Sequence, residues 1–575
     1  MFLSPDPEIQ LTTPEPSVEL HLPEGQVLKG PRNAPVGRFL SILPNAQEPP
    51  VVGAIVNGEL RELTFPIKID SYVRPVTMSE SDGMLIYRRS LVFLLETAFE
   101  ECFPDAELRV DHSVSSGGYY CQVFEHTPLT EAEIAALEAE MESLMQADLP
   151  FTRQEIPLKE AIEYFQTQGE IDKVRLLDHR TKNYLTIYQL KEHRDYHHGY
   201  MVPSTGYLRW FKLSQTGNGF TLRFPRRHDP TRLLPLPEYP ILLDTFRQYG
   251  DWLDRLGISN VGALNDAIQA KRGNEVVLVS EALHEQYVTE IARQIANRAE
   301  DIRVVLIAGP SSSGKTTFSK RLAIQLLARG ISPFPLAMDN YFIDREKTPL
   351  NEEGQPDFES LDALDRIRLD RDLRHLIAGE CVRLPKYDFL TGLSEEGEEI
   401  HLRSGEIVIM EGIHGLNPGL FPRLPSSQTF RIYVSALTQL NLDRHNRIST
   451  TDTRLIRRIV RDARERGYSA YQTIQRWESV RRGEKRYILP YQENTDVMFN
   501  SALVYELSAL KPFAEPLLRQ VQFGKPEYIE SKRLLALLEW FLPLESDLIP
   551  DNSILREFIG NSILHNFTLW QNQKQ

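Results

Sequence analysis

Residues 302–317 read Ile-Arg-Val-Val-Leu-Ile-Ala-Gly-Pro-Ser-Ser-Ser-Gly-Lys-Thr-Thr, and no other stretch restricts the fold as tightly. An apolar run, Val304 to Ala308, ends in Gly309; Gly314-Lys315-Thr316 complete the G-x-x-x-x-G-K-[ST] spacing of a phosphate-binding loop. Chemistry explains each residue type. Glycines let backbone N–H groups wrap a polyphosphate without Cβ clashes. Lys315 meets the β/γ-phosphate charge, the Thr316 hydroxyl suits Mg²⁺, and the start of the next helix adds partial positive charge. Phe318 to Arg329 then follow with helical spacing at Phe318, Leu322 and Ile324 to Leu327. The plain alternative, a Gly/Ser turn with a chance lysine, does not account for a strand before and a helix after. Gly309, Pro310, Ser311, Ser312, Ser313, Gly314, Lys315, Thr316 and Thr317 are therefore expected to hold a nucleoside triphosphate.

At 575 residues the chain has room for about three or four domains. Hydrophobic content of 41% and charged content of 25% are those of a globular protein in water. A net charge of −15 argues against a general nucleic-acid coat protein but not against a local basic site. Cys102, Cys121 and Cys381 are far apart and form no metal-like pair, which fits a reducing cytosol. No run approaches the ~18 apolar residues of a membrane span, and Met-Phe-Leu-Ser-Pro-Asp-Pro-Glu lacks the basic and apolar parts of a signal peptide. The expectation is a cytoplasmic protein without a membrane partner, compatible with a homo-oligomer.

In chain order, residues 1–17 are rich in Pro, Glu and Thr and read as a tail. Residues 18–79 read as a small β-rich domain, with a two-residue hairpin turn at Asn57-Gly58 and a further strand at 69–76. Residues 80–228 read as α+β. Helices are expected at 84–102, at 130–147 with Thr130 and Glu133 as a capping box, and at 158–168; mixed strands run to Phe224. Residues 229–300 open on a Pro-rich linker, four prolines falling between 226 and 240, and continue as a helical bridge. Residues 301–510 carry the phosphate loop, and 511–575 read as a helical extension.

Val56-Asn57-Gly58-Glu59-Leu60, Phe103-Pro104-Asp105-Ala106, Gly117-Gly118-Tyr119-Tyr120, Leu129-Thr130-Glu131, His197-His198-Gly199 and Val202-Pro203 give residues 18–225 their resemblance to the N-terminal part of threonyl-tRNA synthetases. The resemblance implies a TGS-like β-grasp domain followed by an editing-type domain. The family edits with H-x-x-x-H on a helix and a later C-x-x-x-H. The matching positions here hold Phe93 and Thr97, then His197 and Met201, so the editing chemistry is expected to be lost. His193 and His197 have the spacing of a metal pair on a helix face, but Asp195 to Gly199 reads as a loop and no carboxylate pattern completes the set. This half is left to bind a ligand, RNA, or the rest of its own chain.

After the phosphate loop, 332–338 reads as the next strand, with Asp339-Asn340-Tyr341-Phe342 at its carboxyl end, where ligands sit in open α/β sheets. An acid there can accept the proton of an attacking hydroxyl or hold Mg²⁺ through water. The plain alternative is a helix cap. Glu411 ends a second apolar strand, 407–410. Six arginines crowd 454–466, and spacings of three and four place Arg454, Arg457, Arg458 and Arg461 on one helical side. Such a concentration of guanidinium groups suits a polyphosphate and reads as a lid, against the plain alternative of an RNA-binding or surface helix. Arg461 and Arg466 are the expected phosphate contacts.

These motifs, with Asp357-Phe358-Glu359, Pro385-Lys386-Tyr387-Asp388-Phe389 and Glu411-Gly412-Ile413, make 302–508 resemble the uridine kinase/phosphoribulokinase superfamily, and uridine kinases more closely. The resemblance implies that Asp339 is the general base on a nucleoside 5′-hydroxyl and Glu411 the acid near Mg²⁺. It further implies that Phe358 and Glu359 bind the nucleoside, Tyr387 and Phe389 line the base pocket, and Arg458 contacts ribose. Two positions depart from it: Gly392 stands where uridine kinases place a pyrimidine-reading histidine, and Tyr468 where they place an arginine. The extension after 511 resembles the one found when this kinase is fused to the synthetase-like half. The expected fold is multidomain α/β, a P-loop kinase with a parallel sheet behind a β-grasp and an α+β domain. The expected activity is ATP- and Mg²⁺-dependent phosphorylation of a nucleoside, with Lys315, Asp339, Arg461 and Arg466 catalytic. The alternatives are a kinase acting on another sugar or sugar phosphate, and a nucleotide-gated RNA- or ligand-binding regulator.

Overall fold

The computed structural model describes residues 13, 15–43, 49–114, 116–350, 354–388 and 391–567. Most of the expected tail and Phe389 lie outside the described residues. The chain forms two compact units. The first comprises 1–161, 182–236 and 522–529; the second comprises 162–181, 237–521 and 530–575.

The first unit begins with a five-stranded sheet ordered Val27–Pro31, Ser17–His21, Ser71–Thr77, Val51–Val56, Glu59–Glu62. Ser17–His21 runs parallel to Ser71–Thr77 and the remaining pairs are antiparallel, with the short helix Val36–Leu40 packed on the core through Val36, Phe39 and Leu40. This is a β-grasp arrangement. Asn57 (φ 50°) and Gly58 (φ 84°) form its hairpin turn, both left-handed as a twisted two-residue hairpin demands.

Behind it lies the α+β layer. Helix Ser81–Cys102 packs its long apolar run against an antiparallel sheet ordered Lys212–Thr216, Gly219–Arg223, Gly118–Phe124, Glu107–Val114. A second sheet has the order His193–Asp195, Tyr184–Leu190, Thr152–Pro157. His193 thus starts a strand, so the helix-face spacing of His193 and His197 has no helix to act on. Helix Glu131–Gln146 starts on the expected capping box: Glu133 N–H donates to Thr130 Oγ1 (3.3 Å), and Glu133 Oε2 accepts from Thr130 N–H (2.8 Å).

The second unit is built on a five-stranded parallel sheet ordered Pro333–Ala337, Ile407–Glu411, Val304–Ala308, Thr429–Ser435, Val497–Asn500. Numbered along the chain, the order is 2-3-1-4-5. Every residue of Val304–Ala308 is buried, as a central parallel strand covered on both faces requires. Helices Pro240–Leu256, Val261–Gln269 and Gly273–Ala296 form the expected bridge. Helix Ile171–Asp178 also belongs to this unit, although its sequence lies inside the 80–228 segment. Asp172 anchors it by accepting from Arg444 (2.7 Å), and Gly262 passes so close to Leu176 N that a Cβ would meet it at 2.8 Å.

Helix Glu506–Leu518 runs across the expected boundary at 511, with Pro512 and Pro516 inside it. Pro512 has no N–H to offer the Ser508 carbonyl, and that carbonyl instead accepts from Leu544 N–H (3.0 Å). The break is thus filled from a distant segment. Among the described residues, no helix is long and apolar enough to cross a membrane.

The capping box gives a direct check. Thr130→Ala removes one acceptor and frees Glu133, and should lower the stability of the first unit by about 1 kcal/mol in denaturant unfolding. No change would mean that the cap is replaced by water at no cost.

Candidate active site

The phosphate loop departs from the central strand at Gly309, where any Cβ would stand 1.9 Å from the Val434 carbonyl oxygen of the neighbouring strand. Only glycine lets the chain turn there. Ser312 (φ 57°) and Gly314 (φ 83°) are left-handed, which curls the loop before helix Lys315–Leu327 begins. Lys315 folds back over the loop and donates to the Pro310 carbonyl (3.1 Å). Ser312 and Ser313 are buried, and among the described residues neither hydroxyl has a hydrogen-bond partner. Buried polar groups of this kind are expected to meet a ligand.

The carboxyl ends of the first three strands bring the acids to the loop. Glu411 Oε1 accepts from the Thr316 hydroxyl at 3.0 Å. Burial pushes the Glu411 carboxyl up to about 7; Lys315 opposes this, while Glu557 and Asp339 add to it. Asp339, on the turn Met338–Tyr341, is also raised by burial and is drawn back by the charges of Lys315 and Arg466. A hydroxyl and two crowded carboxyls are hard oxygen donors, a set that suits Mg²⁺. Thr316 and Glu411 are thus in contact, and the charges of Lys315 and Arg466 act on the neighbouring carboxyls.

Residues 304–508 match the model of the Phosphoribulokinase / Uridine kinase family. The matched span lies inside the second unit. Over its N-terminal part the chain is 33% identical to the threonine–tRNA ligase of Desulforamulus reducens, along 166 residues that cover 29% of this chain and 26% of that protein. The chain thus spans about a quarter of the length of the curated relatives it matches. Similar solved structures include a possible uridine kinase from Bacillus stearothermophilus (19% identity, 36% of this chain and 97% of that one, TM-score 0.25). Another is D-glycerate 3-kinase from Cryptococcus neoformans (14% identity, 36% and 87%, TM-score 0.26).

The arginine helix, Thr450–Glu465, is less a free lid than a clamp. Arg454 Nε donates to the Ser311 carbonyl (3.0 Å) and pairs with Glu484, whose Oε1 accepts from Ser311 N–H (3.2 Å). Arg457 is fully buried, donating to Glu506 Oε2 (2.6 Å) and to the Ser501 carbonyl (2.8 Å). Arg458, expected at the ribose, donates to the Ser311 hydroxyl (2.8 Å). Arg458, Arg461 and Arg466 all face the buried Asp462, at 3.2, 3.0 and 3.4 Å. Glu484 and Asp462 were missed in the sequence. Asp462 was legible as one of the two acids inside the arginine run, with Glu465, whereas Glu484 lies on a different helix with no local signal.

The expected acceptor residues form a neighbouring group. Glu359 is packed over Gly483, where a Cβ would meet its own Cβ at 2.4 Å. Burial pushes Glu359 up to about 7, with Glu484 adding and Arg458 and Lys315 opposing. Phe342 bridges Phe358 (ring centroids 6.5 Å) and Tyr387 (5.6 Å). Phe358 is 40% exposed, whereas Tyr387 is buried. Gly392 is left-handed (φ 76°), and a Cβ there would stand 2.8 Å from the Arg345 guanidinium carbon. The Arg345 side chain occupies the space a histidine at 392 would need. Tyr468 lies under the Arg476 guanidinium (4.3 Å).

In the first unit, Phe93 packs on the rings of His193 and His197 (5.2 and 5.4 Å), and the Thr97 hydroxyl is spent on the Phe93 carbonyl (2.9 Å). Buried Glu96 lies between the two histidines, at 3.4 and 3.1 Å from their Nε2 atoms. Burial opposes a charge on His193, but hydrogen bonds to Glu100 and Glu96 outweigh it and raise the imidazole to about 10. An acid directly after the apolar run Leu91 to Leu95 was the available signal for Glu96.

Because Glu359 and Glu411 hold their protons more tightly when folded, the folded state binds more protons between about pH 4.5 and pH 7. Stability from these groups is complete below that window and falls as pH rises through it, by at most about 1.4 kcal/mol per pH unit for each group. In unfolding experiments without nucleotide, Glu411→Gln should flatten this fall. An unchanged slope would show that Glu411 titrates normally.

Proposed function

We propose that the second unit is an ATP-dependent nucleoside kinase that transfers the γ-phosphoryl group to a nucleoside 5′-hydroxyl, with uridine as the first substrate to test. The observation that carries this reading is the convergence of Asp339 with Lys315 and with the Thr316–Glu411 pair at the carboxyl ends of adjacent strands. Thr316 and Glu411, with Asp339 beside them, would hold Mg²⁺, which when bound supplies positive charge for the polyphosphate.

The chain's own groups divide the remaining work. The loop's N–H groups and Lys315 orient the triphosphate. Arg466 lies within electrostatic reach of Asp339 and adds charge where phosphoryl oxygens gather in the transition state. Arg461 faces the same Asp462 and joins Arg466 once substrate phosphates compete for it. Asp339 accepts the acceptor hydroxyl's proton; its raised carboxyl makes it a better base than an ordinary aspartate. Glu359 supplies the acceptor for sugar hydroxyls, with Arg458 alongside, and Phe358, Phe342 and Tyr387 supply apolar surface for a base. The first unit is assigned no hydrolytic role, since Phe93 and Thr97 carry neither a base nor a ligand at the family's editing positions.

The test is nucleoside-dependent ADP release across a panel of nucleosides, sugars and sugar phosphates. Asp339→Asn should lower kcat by about 10²–10⁴-fold and Lys315→Ala by about 10²–10³-fold, with the wild-type acid limb above the ordinary carboxylate range. ADP release that depends only on a sugar or sugar phosphate would replace the nucleoside reading. No acceptor-dependent release would favour a regulatory nucleotide switch.

A further inference from the structure

The matched kinase span ends at residue 508, yet a later segment returns to the phosphate loop. Glu557 Oε2 accepts from the Thr317 N–H (3.2 Å) and from the Thr317 hydroxyl (2.8 Å). Thr317 lies in the first turn of the phosphate helix, whose N–H groups have no partner within the helix. That N–H is one of the donors with which such a loop holds an anion. A carboxylate from the far end of the chain therefore stands in an anion seat.

The segment around Glu557 is anchored on both sides of the seat. Ile554 packs on Gly314, where a Cβ would meet Ile554 Cγ2 at 2.5 Å. Ile554, Leu555 and Phe558 are fully buried. The Arg457 guanidinium lies over the Phe558 ring (5.0 Å), and Arg464 on the arginine helix donates to the Glu557 carbonyl (2.8 Å). Lys320 of the phosphate helix donates to the Leu564 and His565 carbonyls (2.7 and 3.1 Å). The Glu557 charge is also close enough to raise the Glu411 carboxyl. At the other end of the loop, Glu484 holds the Ser311 N–H in the same manner (3.2 Å).

We propose that the segment carrying Glu557 is an intramolecular plug: its carboxylate mimics a nucleotide phosphate at the start of the phosphate helix, and a bound nucleotide must displace it. This rests on the nucleotide-binding reading of the loop. One N–H cannot serve a carboxylate and a phosphate oxygen together, and two anions at that spacing repel. Displacement also releases the Arg464 contact, so entry of nucleotide is transmitted to the arginine helix. The plug thus sets the apparent affinity for nucleotide through the fraction of molecules in which the seat is open.

The experiment measures ADP binding to the full chain by calorimetry, and hydrogen exchange of residues 553–563 with and without ADP. Glu557→Ala should bind ADP about tenfold more tightly than wild type, and Glu557→Gln, which keeps an acceptor but loses the charge, by a smaller factor. In wild type, ADP should speed exchange in 553–563. A purely structural helix cap predicts a lower melting temperature with no gain in affinity, which would overturn the plug, as would protection of 553–563 by ADP. If Glu557→Ala is unstable, Glu557→Gln and the wild-type exchange decide the matter. Tight ADP binding that is equal in wild type and variants removes the plug alone; no binding by any of them removes the nucleotide reading and the plug with it.

Discussion

Backbone N–H groups at the start of a helix have no partners within it, and in the second unit this shortage organises everything nearby. The loop between Gly309 and Thr317 gathers such donors in one place, and each must be met by an acceptor. Glu484 meets Ser311 and Glu557 meets Thr317. These acids then need cations, which explains why Arg454 pairs with Glu484 and also donates to the Ser311 carbonyl. Arg457, with no exposed surface, joins Glu506 to the Ser501 carbonyl behind the loop. Removing one partner from such a buried pair costs about 3–5 kcal/mol, because the other charge stays buried. The loop is therefore held by a shell of paired charges, and its shape does not depend on the flexible residues within it.

The same shell sets the state of the working groups. Glu411, Glu359 and Asp339 all hold protons more tightly than exposed carboxyls because burial disfavours their charge. Lys315 opposes that effect at all three. Crowded carboxyls around one lysine form a site that becomes better balanced when a cation arrives. Perturbed groups clustered in this way are what functional sites use. The arginines facing Asp462 follow the same logic with the sign reversed, since one buried carboxylate restrains three cations.

What was legible in the sequence was local. The apolar strand with its glycines, the Asn57-Gly58 turn and the Thr130–Glu133 box each require only neighbours a few residues apart, and all formed as expected. What was hidden depended on distance along the chain. Nothing near Glu557 or Glu484 shows that they reach the phosphate loop, more than 170 residues away in each case. Arginine spacing marked one side of a helix but could not show that Arg454 and Arg457 turn inward, because their partners lie on other helices. Pro512 inside Glu506–Leu518 was misleading for a similar reason: Leu544 supplies the donor that Pro512 lacks. The position of Gly392 follows from Arg345, which the motif around Tyr387 does not contain.

The central claim is that this constellation moves a phosphoryl group to the hydroxyl of a nucleoside. The most direct measurement is identification of the product by mass spectrometry after incubating the full chain with γ-labelled ATP, Mg²⁺ and an equimolar mixture of nucleosides and sugars. The account predicts label on a nucleoside 5′-monophosphate and its disappearance when Asp339 is replaced by Asn. Label recovered on a sugar phosphate, or only as inorganic phosphate, would contradict it.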